Sequence, residues 1–208
     1  SLLPKAKLRL DVNGGWSVDQ ALINLHKIYE EVGPLEYVEQ PCATLEELRL
    51  LKEKLKIEIK ITGDEVIRKA ADPFAIDLPG AVDILMLKVA PLGGLTRARE
   101  IAAHHKLPLV VSSALDSAVG ISYGLQLAAS LPSLDYACGL ATGQLLSADI
   151  ADLPLLNGQL EVNPISPDGD LLAKYAVPVE RLTWWQERTK RAFYAGAESE
   201  IKARGWTW

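Results

Sequence analysis

Short apolar runs alternate with longer stretches of helical periodicity over the first two thirds of the chain. The apolar runs are predicted strands, and the run from Val82 to Val89 is nearly continuous, as is typical of a parallel strand buried on both faces. Helices are predicted between them, and each begins near a capping residue such as Ser17 or Thr44. This alternation predicts a parallel sheet with right-handed crossovers. The predicted strands are 7–12, 35–39, 57–63, 82–89, 107–112 and 136–139.

The pattern changes at Ala151, where prolines and glycines become frequent and the apolar runs end. This stretch is predicted to be rich in loops, with one hairpin. Helical spacing returns from Val179 to Arg204, a segment that carries Trp184 and Trp185. We therefore expect a strand-and-helix domain over residues 1–150. Residues 151–208 are expected to form a loop-rich segment whose terminal helix packs on that domain or on a separate capping domain.

Charge and cysteine content narrow the class of protein. The 208 residues carry a formal net charge of -5, which argues against binding to nucleic acid or to an anionic membrane surface. No apolar stretch approaches the roughly 20 residues of a membrane span, and no signal peptide is recognised. Cys42 and Cys138 lie far apart and are expected to be reduced thiols. These features predict a cytoplasmic protein, and the net charge does not exclude an anionic small-molecule substrate, because a divalent metal ion can reverse the local charge.

Charged residues stand at the ends of four consecutive predicted strands. Asp11, Glu39 and Asp64 each end a strand, and Lys88 ends the next. The gaps are each about 25 residues, close to the length of one strand–helix unit. In a TIM barrel the active site lies where several strands end, so this register favours a barrel over an open sheet. Three converging carboxylates repel one another unless a cation lies among them, and oxygen ligands favour Mg²⁺.

Each of these residues also has a plainer interpretation. A single acid at a strand end is often a helix cap or a solvated loop residue, but capping does not require the same register in three consecutive units. Lys88 could extend its ammonium group into solvent. It lies within an apolar strand, however, where an unpaired charge is costly. The arrangement therefore favours a role in a binding or catalytic site over a role in helix capping.

The motifs around these residues resemble the muconate-lactonizing branch of the enolase superfamily. Leu10–Trp16 resembles its D-x-N-x-x-W segment, Val38–Pro41 its E-Q-P segment, and Gly63–Glu65 its D-E segment. Leu87-Lys88 resembles the lysine strand. Val111–Ser117 with Tyr136–Leu140 is similar to the actinobacterial type of the o-succinylbenzoate synthase family. The resemblance implies an α/β fold, a TIM-type (β/α)7β barrel that here lacks its first strands and its N-terminal capping domain.

The resemblance also implies roles for individual residues. Asp11, Glu39 and Asp64 would bind Mg²⁺, with Mn²⁺ as a possible substitute, and Lys88 would face the substrate as a cation. Asn13 and Glu65 would orient the ligands or pair with Lys88, although either suits a plain turn. The substrate's second carboxylate would be bound by Ser112, Ser113 and Gly139. His26, His104 and His105 fall on predicted helices, which disfavours a histidine base.

The implied reaction is dehydration of 2-succinyl-6-hydroxy-2,4-cyclohexadiene-1-carboxylate to o-succinylbenzoate, in menaquinone synthesis, through a metal-stabilised enediolate. Two other functions stay open. An N-succinylamino-acid racemase or dipeptide epimerase would use the same metal site, with Lys88 as a second base. A non-catalytic relic would bind the metal without turnover.

The sequence departs from the family at its start. Members of this branch have a K-x-K segment on an earlier strand, and its second lysine moves the proton. Here the first predicted strand already bears Asp11, and Lys5-Ala6-Lys7 precedes that strand rather than ending one. We interpret the match to the K-x-K segment as a coincidence and expect both lysines to be solvated. We therefore expect a fragment that lacks synthase activity alone and whose partner is the missing N-terminal part of the same protein.

Overall fold

The computed structural model describes residues 6–203 and 205, which fall into two compact units, Ser1–Ser166 and Pro167–Trp208. In the described part of the first unit, five parallel strands form one sheet in the order β1-β2-β3-β4-β5. The strands are β1 (Arg9–Asp11), β2 (Tyr37–Glu39), β3 (Ile61–Gly63), β4 (Ile84–Lys88) and β5 (Leu109–Ser112). The helices that follow them are α1 (Val18–Val32), α2 (Leu45–Lys54), α3 (Glu65–Arg68), α4 (Leu95–His105) and α5 (Ala118–Ser130).

The sheet curls into part of a TIM-type barrel. The curl is visible in Arg9 of β1, whose Nη1 donates to the carbonyl of Ala137, beyond β5, over 2.7 Å. The guanidinium of Arg9 also lies 4.8 Å from the ring centre of Tyr37, and Tyr37 meets Tyr136 edge to face at 5.6 Å. A single side chain therefore reaches from one edge of the curled sheet toward the other.

The two faces of the sheet bury different residues. Side chains alternate along a strand, so on β4 the fully buried Leu85 and Leu87 pack with the helices, while Ile84 and Met86 form a second buried cluster on the inner face. Lys88 continues the alternation of Ile84 and Met86. The inner face is thus apolar in its lower part and charged where the strands end.

The expected helix caps at Ser17 and Thr44 are confirmed, and each forms a full capping box. The hydroxyl of Ser17 accepts from the backbone N–H of Gln20, and the Gln20 side chain accepts from the N–H of Ser17. Thr44 and Glu47 make the same pair of bonds at the start of α2. These caps satisfy backbone donors that a helix leaves unpaired. The two caps fix the residues at which α1 and α2 begin after β1 and β2.

Every predicted strand is shorter in the structure, and three elements differ most from the prediction. The sixth strand, Tyr136–Gly139, is reduced to one parallel bridge between Gly139 and Ser112, because among the described strands the segment has only β5 as a neighbour. The helix expected after β3 spans only Glu65–Arg68, since the chain turns at Asp72 and Pro73. The third predicted strand begins at Ile61 because β2, its partner, starts at Tyr37.

The predicted hairpin is a minimal one within the first unit, with Leu156 and Gln159 paired around Asn157 and Gly158. The second unit contains α6 (Gly169–Lys174), α7 (Val179–Ala192) and α8 (Glu198–Ala203). A wider helical turn, Phe193–Ala197, joins α7 to α8 and has Gly196 at φ 145°. None of the described helices is long and apolar enough to span a bilayer. Lys5, one of the two lysines in the early pair, lies outside the described residues.

Replacing Thr44 with alanine should lower the free energy of unfolding by about 1 kcal/mol, because the N–H of Glu47 loses its acceptor at the start of α2. Urea unfolding of the 208-residue chain measures the change in the free energy of unfolding. Thr96→Ala, at an exposed position inside α4, is the control and should change stability by less than about 0.5 kcal/mol. Equal effects of the two substitutions would contradict the capping role.

Candidate active site

The predicted site lies where the parallel strands end. Lys88, the last residue of β4, directs its ammonium between two carboxylates from neighbouring strands. Its Nζ donates to Oδ2 of Asp64 over 2.7 Å and lies 3.4 Å from Oε1 of Glu39. All three residues are buried. The structure therefore brings together Glu39, Asp64 and Lys88.

Asp11 lies beside this group at the end of β1. It is the direct register partner of Glu39 across the ladder, and adjacent strands are about 4.8 Å apart. The carboxylate of Asp11 accepts from the backbone N–H and the side-chain amide of Asn13, each at 2.9 Å. Asn13 has a left-handed φ of 51°, which folds it back over Asp11. Its expected role of orienting Asp11 remains a proposal that this contact supports.

Arg68 is a member of the site that the sequence reasoning missed. Its Nε donates to both carboxylate oxygens of Asp64, at 3.0 and 3.1 Å, and its Nη2 donates to Oε1 of Glu65 at 2.6 Å. Asp64 thus lies between two cations, Lys88 and Arg68. The spacing of Arg68, three and four residues after the two acids, is the signal that could have identified it.

Burial and neighbouring charges shift the pKa values of Glu39 and Lys88. Burial, reinforced by the nearby carboxylate of Asp11 and opposed by Lys88, raises the pKa of Glu39 to about 7. Burial disfavours the charged form of Lys88, but the hydrogen bond and charge of Asp64 outweigh this and raise the pKa of the ammonium. Of the two buried carboxylates, Glu39 is therefore less compensated by positive charge than Asp64.

The donors fit a divalent cation by their chemistry. In the described residues no three acidic, histidine or cysteine side chains are grouped so that they could hold a metal ion as they stand. Instead, Lys88 lies between Glu39 and Asp64, and Asn13 holds Asp11. Three neighbouring oxygen donors nonetheless match what Mg²⁺ prefers, and the raised pKa of Glu39 marks a carboxylate that needs more positive charge.

A buried oxygen adjoins these donors. Oε2 of Glu65 has no hydrogen-bond partner among the described residues, although its Oε1 is held by Arg68. Buried polar atoms are usually paired. An atom of this kind next to Asp64 can accept a bond from a water molecule or a bound group at the site.

The residues expected to bind the substrate meet at the end of β5. Ser112 and Ser113 direct their hydroxyls to the carbonyl of Gly139, at 3.3 and 3.2 Å. Ser113 also lies 2.6 Å from the hydroxyl of Thr142. The three predicted residues are thus adjacent, and their binding role stays a proposal. His26 bonds to its own helix through the carbonyl of Leu22, and His104 and His105 lie on α4.

Gln40, the glutamine of the E-Q-P segment, is a second residue whose contacts the sequence analysis did not predict. It is fully buried, and its side chain bonds to the backbones of Cys42, Asp64 and Val66. No local sequence pattern predicts that a glutamine after a strand bonds to the backbone of the next strand end. Only the folded arrangement of two strand ends reveals them.

Replacing Lys88 with methionine should lower the free energy of unfolding of the metal-free chain by about 3 kcal/mol, because it leaves Glu39 and Asp64 buried without the ammonium. Urea unfolding measures the loss, and adding Glu39→Gln to this variant should restore part of it. Lys69→Met, at an exposed position just after α3, is the control. A Lys88 variant as stable as the Lys69 variant would contradict the pairing.

The chain is similar to known proteins over most of its length. The chain is 50% identical over 188 residues to the o-succinylbenzoate synthase of Mycobacterium leprae, a match that covers 89% of this chain and 55% of that protein. The chain therefore spans about half the length of the curated relatives it matches. Enzymes of the enolase superfamily generally use a divalent metal ion.

Two solved structures share the fold. An isomerase from Streptomyces coelicolor A3(2) is 29% identical, with a TM-score of 0.70 over 84% of this chain and 48% of that one. The muconate lactonizing enzyme of Pseudomonas putida is 25% identical, with a TM-score of 0.70 over 85% and 52% of the two chains. The family model of enolase C-terminal domain-like proteins matches residues 2–165, a range that holds every strand and the whole candidate site. The chain belongs to the enolase C-terminal domain-like family.

Proposed function

We propose that this chain is the metal-binding portion of an o-succinylbenzoate synthase, a hydro-lyase. The observation that carries the proposal is the meeting of Lys88 with Glu39 and Asp64 at one end of the sheet. The similarity to a mycobacterial o-succinylbenzoate synthase supports this reaction among those that such a site can perform. Two free cysteines in the described chain are compatible with the cytoplasmic location that we include in the proposal.

The reaction to be catalysed is an elimination of water. The substrate, 2-succinyl-6-hydroxy-2,4-cyclohexadiene-1-carboxylate, loses the proton beside its ring carboxylate and the hydroxyl of the adjacent carbon. The electron pair of the broken C–H bond becomes the third ring double bond, which makes the product aromatic. The difficult step is removal of a proton next to a carboxylate, because negative charge accumulates on the carboxylate oxygens.

Asp11, Glu39 and Asp64 would hold Mg²⁺, or Mn²⁺ in its place. When bound, the ion would supply positive charge for the substrate carboxylate and so lower the cost of proton removal. Binding of the ion requires Glu39 in its ionised form. Arg68 holds Asp64 and Glu65 from one side, which fixes the direction in which Asp64 presents its oxygens.

Lys88 would act as a fixed cation facing the developing negative charge. The ammonium is buried among carboxylates and is therefore held in its charged form. A preorganised charge in a site of low water content stabilises a transition state more than the same charge in water. The lysine of the K-x-K segment, which the resemblance places on an earlier strand, would take the proton and return it to the departing hydroxyl, which then leaves as water.

Asp64→Asn should weaken Mg²⁺ binding at least about 10-fold, because it removes a charged ligand, and loss of a residue that merely supports a ligand can already cost that much. Titration calorimetry with Mg²⁺ and electron paramagnetic resonance with Mn²⁺ measure the affinity. Glu31→Gln, which removes an exposed carboxylate at the far end of α1, is the control. Unchanged binding in Asp64→Asn would remove Asp64 from the metal site.

A chimera tests the activity. In it, this chain replaces the matching stretch of the Mycobacterium leprae protein, and formation of o-succinylbenzoate is followed by chromatography. We expect turnover, and we expect Lys88→Ala to reduce it by about 100-fold or more while Lys69→Ala leaves it unchanged. A folded chimera that binds Mg²⁺ without turnover would indicate a non-catalytic relic. Deuterium exchange into an N-succinylamino acid without dehydration would indicate a racemase.

A further inference from the structure

Gln40 occupies a strained and fully buried position directly after Glu39. Its φ is 40°, in the left-handed region that favours glycine. Glycine would adopt this backbone without strain but would bring no side chain. The backbone conformation is thus unfavourable for a residue with a long side chain, and the contacts of that side chain offset the strain.

Those contacts reach the segment that follows β3. Oε1 of Gln40 accepts from the backbone N–H of Asp64 at 3.0 Å and from that of Val66 at 3.2 Å. Its Nε2 donates to the carbonyl of Cys42 at 2.8 Å, within the loop after β2. One amide group therefore ties the backbone after Glu39 to the backbone that carries Asp64.

The main chain of Gln40 extends the same connection in both directions. Its N–H donates to the carbonyl of Thr62 on β3 at 2.8 Å, and its carbonyl accepts from Gly14, after β1, at 2.7 Å. The segments that present Asp11, Glu39 and Asp64 all meet at this residue. Gln40 is bonded to the backbone on both sides of its own strand end.

We propose that Gln40 is a positioning residue that sets the spacing of the three carboxylates and thereby the metal affinity of the site. It acts through the backbones of Asp64 and Val66 and not by direct contact with the ion. The proposal rests on the proposed function only where metal binding is concerned, because the backbone contacts exist without it.

The backbone part is tested by nuclear magnetic resonance of the full chain without metal. A through-hydrogen-bond coupling between the Gln40 side-chain carbonyl and the Asp64 amide nitrogen is expected in the unsubstituted protein. Gln40→Met should reduce the hydrogen-exchange protection of the Asp64 and Val66 amides at least about 10-fold. Gln40→Glu keeps an acceptor for both amides and should retain their protection.

The metal part compares affinities. Gln40→Met and Gln40→Gly should each weaken Mg²⁺ binding about 10- to 100-fold, although glycine relieves the backbone strain and methionine does not. Ile101→Val, in the fully buried part of α4, reduces stability without touching a strand end and should leave the affinity unchanged. A role limited to stability would instead make Gly milder than Met and would make Ile101→Val weaken binding too.

Each outcome bears on one of the two proposals. If the unsubstituted chain does not bind Mg²⁺, the proposed function fails, whereas the coupling and exchange measurements still decide the backbone role of Gln40. If the unsubstituted chain binds and Gln40→Met binds within about 2-fold of it, the positioning role is overturned. Should Gln40→Met fail to fold, two measurements still test the proposal: the coupling from Gln40 to the Asp64 amide in the unsubstituted chain, and the Mg²⁺ affinity of Gln40→Gly. An absent coupling, or an Mg²⁺ affinity of Gln40→Gly equal to that of the unsubstituted chain, overturns the proposal.

Discussion

The neutralisation of buried negative charge by Lys88 is the constraint on which the site depends. Two carboxylates, Glu39 and Asp64, are buried at adjacent strand ends, and Asp11 lies in register beside one of them. Without a cation this arrangement would be unstable, since a buried unpaired charge costs several kcal/mol. The ammonium of Lys88 meets both buried carboxylates. The sheet can therefore carry its functional charges in a place from which water is largely excluded.

The parallel sheet is what makes this convergence possible. All five described strands run in the same direction, so their last residues share one edge, and charges that are distant in sequence become neighbours. The inner face below that edge is filled by Tyr37, Ile84, Met86, Val110 and Tyr136. This apolar layer separates the charged end from the opposite end of the curled sheet. Burial of Glu39 at this edge, together with the negative charge of Asp11, raises its pKa.

Features set by local sequence could be predicted, and features set by contacts between distant segments could not. The helix caps at Ser17 and Thr44 depend on contacts between residues three apart and were confirmed. The parallel direction of the strands and the convergence of Glu39, Asp64 and Lys88 at one edge followed from alternation and register. The length of the last predicted strand was wrong because strand length depends on a neighbour. Arg68 had a local signal in its spacing from Asp64, which the reasoning overlooked.

The contrast between Lys88 and Gln40 separates two requirements of such a site. Lys88 supplies positive charge next to Asp64 and Glu39, and a divalent ion in the proposed site would compete with the ammonium for the same oxygens. Gln40, in our proposal, sets the spacing of the carboxylates, because its side chain bonds to the backbones of Asp64 and Val66. A site that exchanged its ammonium contacts for a metal ion would therefore keep its Gln40 contacts unchanged. The backbone contacts of Gln40 are already present without a metal ion, so in the proposed site they would hold the strand ends in place before the ion binds.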